Sequence, residues 1–151
     1  MSDPSPSRRA AATSLGAAAV FDPTVDDVAA AVRDLTGGLG AAGAIDAAGV
    51  AQALAASLRS TRPDRRIVVV AHHQQPMSVR SGSLIFSEIA VTGSHIYRSG
   101  DIARVIADLA VGTYPLDEWV ETIDLDRVVD DGLVRLRNQE ANKILVTLAA
   151  E

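Results

Sequence analysis

Apolar positions along this chain follow two alternating rhythms, three-and-four spacings and short unbroken runs, which predict helices and strands in turn. Ser5 to Leu15 reads as a helix, with Pro4 or Pro6 near its start, alanines inside and Gly16 beyond its end. Ala18–Phe21 is a short apolar strand closed by Asp22-Pro23. A helix from about Val25 to Leu35 follows, with Thr24 as N-cap and Val28, Ala29, Val32 and Leu35 on one stripe. Gly37 and Gly38 stop it. The next strand is Ala42–Asp46, and Gly49 opens a turn into a helix over Ala51–Ser60 whose apolar face is Leu54, Ala55 and Leu58. Pro63 and Asp64 turn the chain into Arg66-Ile67-Val68-Val69-Val70, a run without polar alternation, as expected of a parallel strand buried on both faces. A short helix near Ser83–Phe86 leads to a strand over Glu88–Thr92, ending at Gly93-Ser94. Amphipathic helices are predicted over Asp101–Leu109 and Leu125–Leu136, and Ile144–Leu148 reads as a last strand. There is no internal repeat and no long linker. Strands separated by single helices imply right-handed β–α–β units, hence an α/β sheet with helices on both faces.

Composition narrows the chemistry. At 151 residues, 48% apolar and 22% charged, the chain reads as one globular domain. A net charge of -5 and 3% aromatic residues argue against nucleic acid and against an anionic membrane surface. The absence of cysteine excludes disulfides, thiolate zinc sites and a cysteine nucleophile. No apolar run approaches the roughly 20 residues of a membrane span, and Met1–Arg9 lacks the apolar core of a secretory signal, so a cytoplasmic location is the default expectation.

Gly38-Leu39-Gly40-Ala41-Ala42-Gly43 spells GxGxxG, the dinucleotide fingerprint, yet its glycines follow a helix and open a strand. Phosphate binding needs the opposite order, with a helix N-terminus after the turn, so the stretch reads as a glycine-rich helix end and loop. His72 and His73 are adjacent and point to opposite sides of an extended backbone, which disfavours a shared metal, although a loop histidine lining a groove is reasonable. Arg59, Arg62, Arg65 and Arg66 read as a solvated turn, Ser57 and Ser87 lack a triad pattern, and Trp119 reads as a hydrophobic anchor between the last two helices.

Several stretches, in order, carry a likeness. They are Ser2-Asp3-Pro4-Ser5-Pro6-Ser7-Arg8-Arg9 with Leu15-Gly16-Ala17; Phe21-Asp22-Pro23-Thr24; Leu35-Thr36-Gly37-Gly38 with Gly40-Ala41; and Asp46 with Ala48-Gly49. Arg62-Pro63 before Ile67-Val68-Val69-Val70, Val91-Thr92-Gly93-Ser94 and Asn142-Lys143-Ile144-Leu145-Val146 complete the set. Together they resemble the coenzyme-binding domain of the medium-chain dehydrogenase/reductase superfamily, in its zinc-dependent branch around butanediol, sorbitol and threonine dehydrogenases. Two positions depart from the family pattern: Ala71 stands where glycine is usual after the strand, and Asp64-Arg65 replaces a common glycine pair.

The resemblance implies an α/β fold: an incomplete Rossmann-type, doubly wound parallel sheet over residues 1–151 that lacks its first two strands. It matches Asp3 to the acidic residue that accepts the adenosine ribose hydroxyls of NAD, a carboxylate that would repel a 2′-phosphate. Arg8 matches a basic residue beside the same ribose. Ala48-Gly49, Ala71 after Val70, and Gly93-Ser94 match turns lining the coenzyme groove, and Lys143 matches a basic position near the pyrophosphate. On residue type alone, Asp3 reads equally well as a terminal or N-cap residue, and Lys143 as an exposed charge. The family's zinc ligands, proton relay and substrate pocket, with the first strand and true glycine-rich turn, are expected in an N-terminal part outside this chain. The complete protein would transfer hydride between an alcohol and NAD, zinc entering only through that other part. Alone, the chain is expected to bind NAD weakly or not at all. A gap would separate Ala18–Phe21 from Ala42–Asp46, which direct pairing of the two would close. Expected partners are a second copy through the edge strand Glu88–Thr92, or a separately encoded N-terminal half. A non-catalytic dimerisation or complementation module is the alternative function.

Overall fold

Ile67 has no solvent-exposed surface, and Leu54 and Ile89 close over it. Ala44, Leu58, Val69, Val79 and Val91 pack around these three, and this cluster is the core of the residues 26–99. The computed structural model describes residues 1–117, 119–138 and 140–148. Its chain divides into two units, Asp26–Ser99 and Met1–Val25 together with the chain from Gly100 onward.

The first of these units is built on three parallel strands in the order β1 (Ala41–Asp46), β2 (Thr61–Val69) and β3 (Ala90–Gly93). Between β1 and β2 the register runs from Gly43↔Arg66 to Asp46↔Val69, and between β2 and β3 from Arg66↔Ala90 to Val69↔Gly93. Ala41 pairs with Thr61 instead, so residues 62–65 bulge out of the ladder between the two registers. Pro63-Asp64 sits in that bulge, with Asp64 at φ 56, a left-handed position that aspartate tolerates better than most residues. Helix α3 (Ala51–Ser60) crosses from β1 to β2 and turns Leu54 into the core. Helix α2 (Val28–Leu35) precedes β1, and α4 (Ser81–Ile85) precedes β3.

Parallel pairing and the α/β class expected from the sequence are both present. The predicted N-cap of α2 is wrong. Asp27, not Thr24, caps it, its carboxylate accepting the Ala29 and Ala30 N–H groups at 3.2 Å each, while the Thr24 hydroxyl donates to Asp22 Oδ1 at 2.6 Å. An aspartate three residues nearer the helix competes successfully for the cap.

The second unit begins with α1 (Pro6–Ser14), started by Ser5 as N-cap and by proline at its first position. The strand expected over Ala18–Phe21 is reduced to an isolated parallel bridge between Ser2 and Phe21, with the Asp3 N–H donating to the Phe21 carbonyl at 3.2 Å and the Phe21 N–H to the Met1 carbonyl at 2.9 Å. Among the described residues β1 has β2 as its only strand neighbour, so the direct pairing expected between Ala18–Phe21 and Ala42–Asp46 is not formed.

Helix α5 (Ser99–Ala110) is followed by a strand the sequence reading missed, β4 (Val120–Asp124), which pairs in parallel with β5 (Lys143–Thr147). The single α-helix predicted over Leu125–Leu136 is three pieces: a 3₁₀ turn (Leu125–Arg127), a π-helix (Val128–Val134) and α6 (Arg135–Arg137). Gly132, buried in the π segment, lies so close to Ile123 that an added Cβ would sit 3.2 Å from its Cδ1. Trp119 directly precedes β4 and donates its indole N–H to the Pro115 carbonyl at 2.8 Å.

Candidate functional site

In a parallel sheet, the carboxyl ends of adjacent strands converge on one edge, and open α/β sheets bind ligands outside that edge. Here it gathers five residues singled out from the sequence. Ala48 and Gly49 follow β1, Ala71 follows β2, and Gly93-Ser94 closes β3. The Ser94 N–H donates to the Val69 carbonyl at 3.0 Å, and the space where a Gly93 side chain would lie is open. A cleft of about 470 Å³ adjoins the first two of these loops, lined by Gly49, Val50, Gln52, His72, His73 and Pro76 among others.

The loops after β1 and β2 are joined by one residue the sequence reading did not assign. Asp46 ends β1 with its side chain fully buried. Its Oδ1 accepts the Ala48 N–H at 3.0 Å and the Gly49 N–H at 3.3 Å, and its Oδ2 lies 2.9 Å from Nε2 of His73, whose ring is 7% exposed. Its backbone carbonyl accepts the N–H groups of Val70 and Ala71 at 3.0 and 3.2 Å. A buried carboxylate persists only when hydrogen bonds replace its lost hydration, and these do so. Gly49 is required by both conformation and space: φ is +69°, and a Cβ would sit 3.0 Å from the His72 carbonyl oxygen. Aspartate followed two and three residues later by Ala-Gly is a signal for a side-chain-capped turn, and it could have flagged Asp46. Its pairing with His73, 27 residues on, leaves no local mark.

The other three candidates belong to the second unit. Asp3 and Arg8 come together: Asp3 Oδ2 lies 3.8 Å from Arg8 Nη1, while Asp3 Oδ1 accepts the Ser5 N–H at 2.8 Å. Arg9, which the sequence reading left without a role, donates to the Asp3 carbonyl at 2.6 Å and pairs with Asp22 at 3.0 Å. Lys143 is exposed and opens β5 opposite Val120.

Hydrogen bonds from the Thr24 hydroxyl and then the Thr24 N–H, reinforced by the Arg9 charge, hold the Asp22 carboxyl below its ordinary 3.8. A depressed carboxyl favours the folded state above its unfolded pKa, and the benefit is lost as pH falls through the folded value. Removing the hydroxyl with Thr24→Ala is therefore expected to raise the Asp22 midpoint in a carbon-detected carboxyl titration, to lower stability above about pH 4 and to make its fall below that pH shallower, so that the two chains converge in acid.

The chain has no cysteine, and no three His, Asp or Glu side chains gather among the described residues. The strand-end loops, by contrast, suit a dinucleotide. Their residues are small and end three adjoining parallel strands, and the first of them leads into α3, which Val50 leaves without a side-chain cap.

A family model described as zinc-binding dehydrogenase matches residues 1–111. The chain belongs to the zinc-binding dehydrogenase family. It is 30% identical over 130 residues to (R,R)-butanediol dehydrogenase of Neisseria gonorrhoeae, covering 84% of this chain and 36% of that relative. The structure of 2R,3R-butanediol dehydrogenase from Bacillus subtilis superposes with a TM-score of 0.88 and 28% identity, over 98% of this chain and 43% of that one. A putative zinc-binding dehydrogenase from Sinorhizobium meliloti, bound to NADP, matches with a TM-score of 0.75 and 26% identity, over 85% of this chain and 39% of that one. The chain spans less than half the length of the curated relatives it matches. The sequence resemblance to the zinc-dependent branch and the Rossmann-like parallel fold both hold.

Proposed function

We propose that this chain supplies coenzyme-binding structure to an NAD-dependent, zinc-type alcohol or polyol dehydrogenase and does not turn over alcohol by itself. The observation that carries the reading is the alignment of Ala48-Gly49, Ala71 and Gly93-Ser94 at the carboxyl ends of three adjoining parallel strands. In this role those loops would orient the nicotinamide half through backbone carbonyls and close approach and exclude water from it, since the Ala48, Gly49, Ala71 and Ser94 N–H groups already donate within the chain. Asp3 would accept ribose hydroxyls through whatever capacity its Ser5 bond leaves, with Arg8 beside it. Lys143 would supply positive charge toward the pyrophosphate. When bound, NAD supplies the hydride acceptor. Zinc would be held by residues outside the described chain.

The chain alone is expected to bind NAD only in the millimolar range, since the phosphate-binding turn belongs to neither unit. Calorimetric titration tests this, and micromolar affinity would contradict it. A second reading has its own support. β3 is an edge strand, and Ile85 and Phe86 just before it are 67% and 89% exposed, as in a surface awaiting a second copy. Co-expression with a polypeptide carrying the family's catalytic part separates the two: alcohol oxidation supports the dehydrogenase, a stable inert dimer the association module.

A further inference from the structure

We propose that Asp46 is the positioning residue of the strand-end cleft, coupling the β1–α3 turn to the loop after β2 through the ring of His73. The consequence for coenzyme rests on the function proposed above; the coupling itself does not.

Each half of the coupling is local chemistry. Oδ1 takes both N–H groups of the tight turn, so the carboxylate plane is set by Ala48 and Gly49. That leaves Oδ2 aimed at one partner, Nε2 of His73, within a region where both side chains are almost wholly dry. A carboxylate only accepts, so the proton of this hydrogen bond sits on Nε2. Displacing the histidine loop would strand a buried carboxylate oxygen, and displacing the turn would strand a buried imidazole N–H, both unfavourable outside water. Close packing adds to this, because Gly49 already approaches the backbone of His72 and the side chain of Ala71. The two loops lining one cleft therefore hold a single relative geometry, with Asp46 at their junction.

The coupling has a spectroscopic signature that a merely structural aspartate would lack. Asp46→Asn preserves volume and an oxygen for the turn, but presents an N–H₂ donor to Nε2, which favours moving the ring proton to Nδ1. In ¹⁵N-labelled chain near neutral pH, long-range imidazole correlations should show His73 protonated at Nε2. Its proton should exchange at least about tenfold more slowly than those of the exposed His72 and His95. Asp46→Asn should shift the proton to Nδ1. His73→Gln should speed exchange of the Ala48 and Gly49 amides by roughly tenfold while leaving Leu54 and Ile67 protected, and it carries the test if Asp46→Asn fails to fold. An unprotonated Nε2 in the unaltered chain, exchange as fast as that of His95, or His73→Gln changes confined to the histidine loop would overturn the proposal. Titrating NADH into the same samples separates the two readings. Strand-end amides that respond in the unaltered chain and several-fold more weakly in both variants support both. No response in the unaltered chain removes the coenzyme reading, while the His73 signature still decides the coupling.

Discussion

Gly40→Ala is expected to destabilise the chain by about 3 kcal/mol, combining left-handed backbone strain with a steric clash. Gly40 sits at φ +88°, and a Cβ there would lie 2.6 Å from the Ser60 carbonyl oxygen and 3.0 Å from the Arg62 nitrogen. Both neighbours are backbone: one ends α3 and the other lies just inside β2, so neither can move without disturbing the core beside Leu54 and Ile67. The Gly40 N–H also donates to the Thr36 hydroxyl at 2.8 Å, which pins the turn from the α2 side. Urea denaturation should show the midpoint falling with little change in slope, and the melting temperature should drop by roughly 10 °C for a chain of this size. Gly38→Ala is the control. Its φ is +85°, but nothing lies within 4 Å of the added carbon, so only the conformational part of the loss should appear. Equal effects at the two positions would refute the close-approach explanation.

Leu54→Ala should cost about 2–5 kcal/mol, the range for deleting a leucine side chain from a packed core. Leu54 is 2% exposed and packs with Ile67 and Ile89, the only fully formed cluster of buried apolar side chains in the residues 26–99. Removing it leaves a cavity between α3 and the sheet that rigid parallel strands fill poorly. Leu35→Ala, at the 65%-exposed end of α2, should fall within about 0.5 kcal/mol of the unaltered chain. Chemical denaturation of the pair measures the difference directly. A loss at Leu54 no larger than that at Leu35 would place the core elsewhere.

The most legible parts of the sequence were those whose cause is local. Helix α3 begins and ends at the residues expected, because Gly49 makes the turn before it and Leu54 and Leu58 keep one apolar face. The GxGxxG stretch was readable as no phosphate-binding fingerprint for the same reason: α2 precedes it and no helix follows its glycines, although its last three residues, Ala41–Gly43, are already part of β1 and not of the loop. Partners were harder. Ile102, Val105, Ile106 and Leu109 announce α5 correctly, yet these four are 38–61% exposed, since periodicity says that a face is apolar and not what covers it. Val68 stays half-buried and Val70 is 49% exposed, although their β-branched run looked buried on both faces. β4 was missed because Val-Glu-Thr-Ile-Asp is too short and too polar to separate from the helical pattern after it. The site divided in the same manner. Strand-end turns at Ala48-Gly49, Ala71 and Gly93-Ser94 were visible as punctuation, whereas the Asp46–His73 contact joins positions that only the fold brings together.

The account depends on where a dinucleotide meets this chain. Amide spectra of ¹⁵N-labelled protein recorded across a millimolar NADH titration should show Gly49, Ala71, Gly93 and Ser94 shifting together with one saturation curve. Gly38 and Gly40, at the opposite end of β1, should stay still. Shifts centred on Gly38 and Gly40, or none at the strand ends, would contradict it.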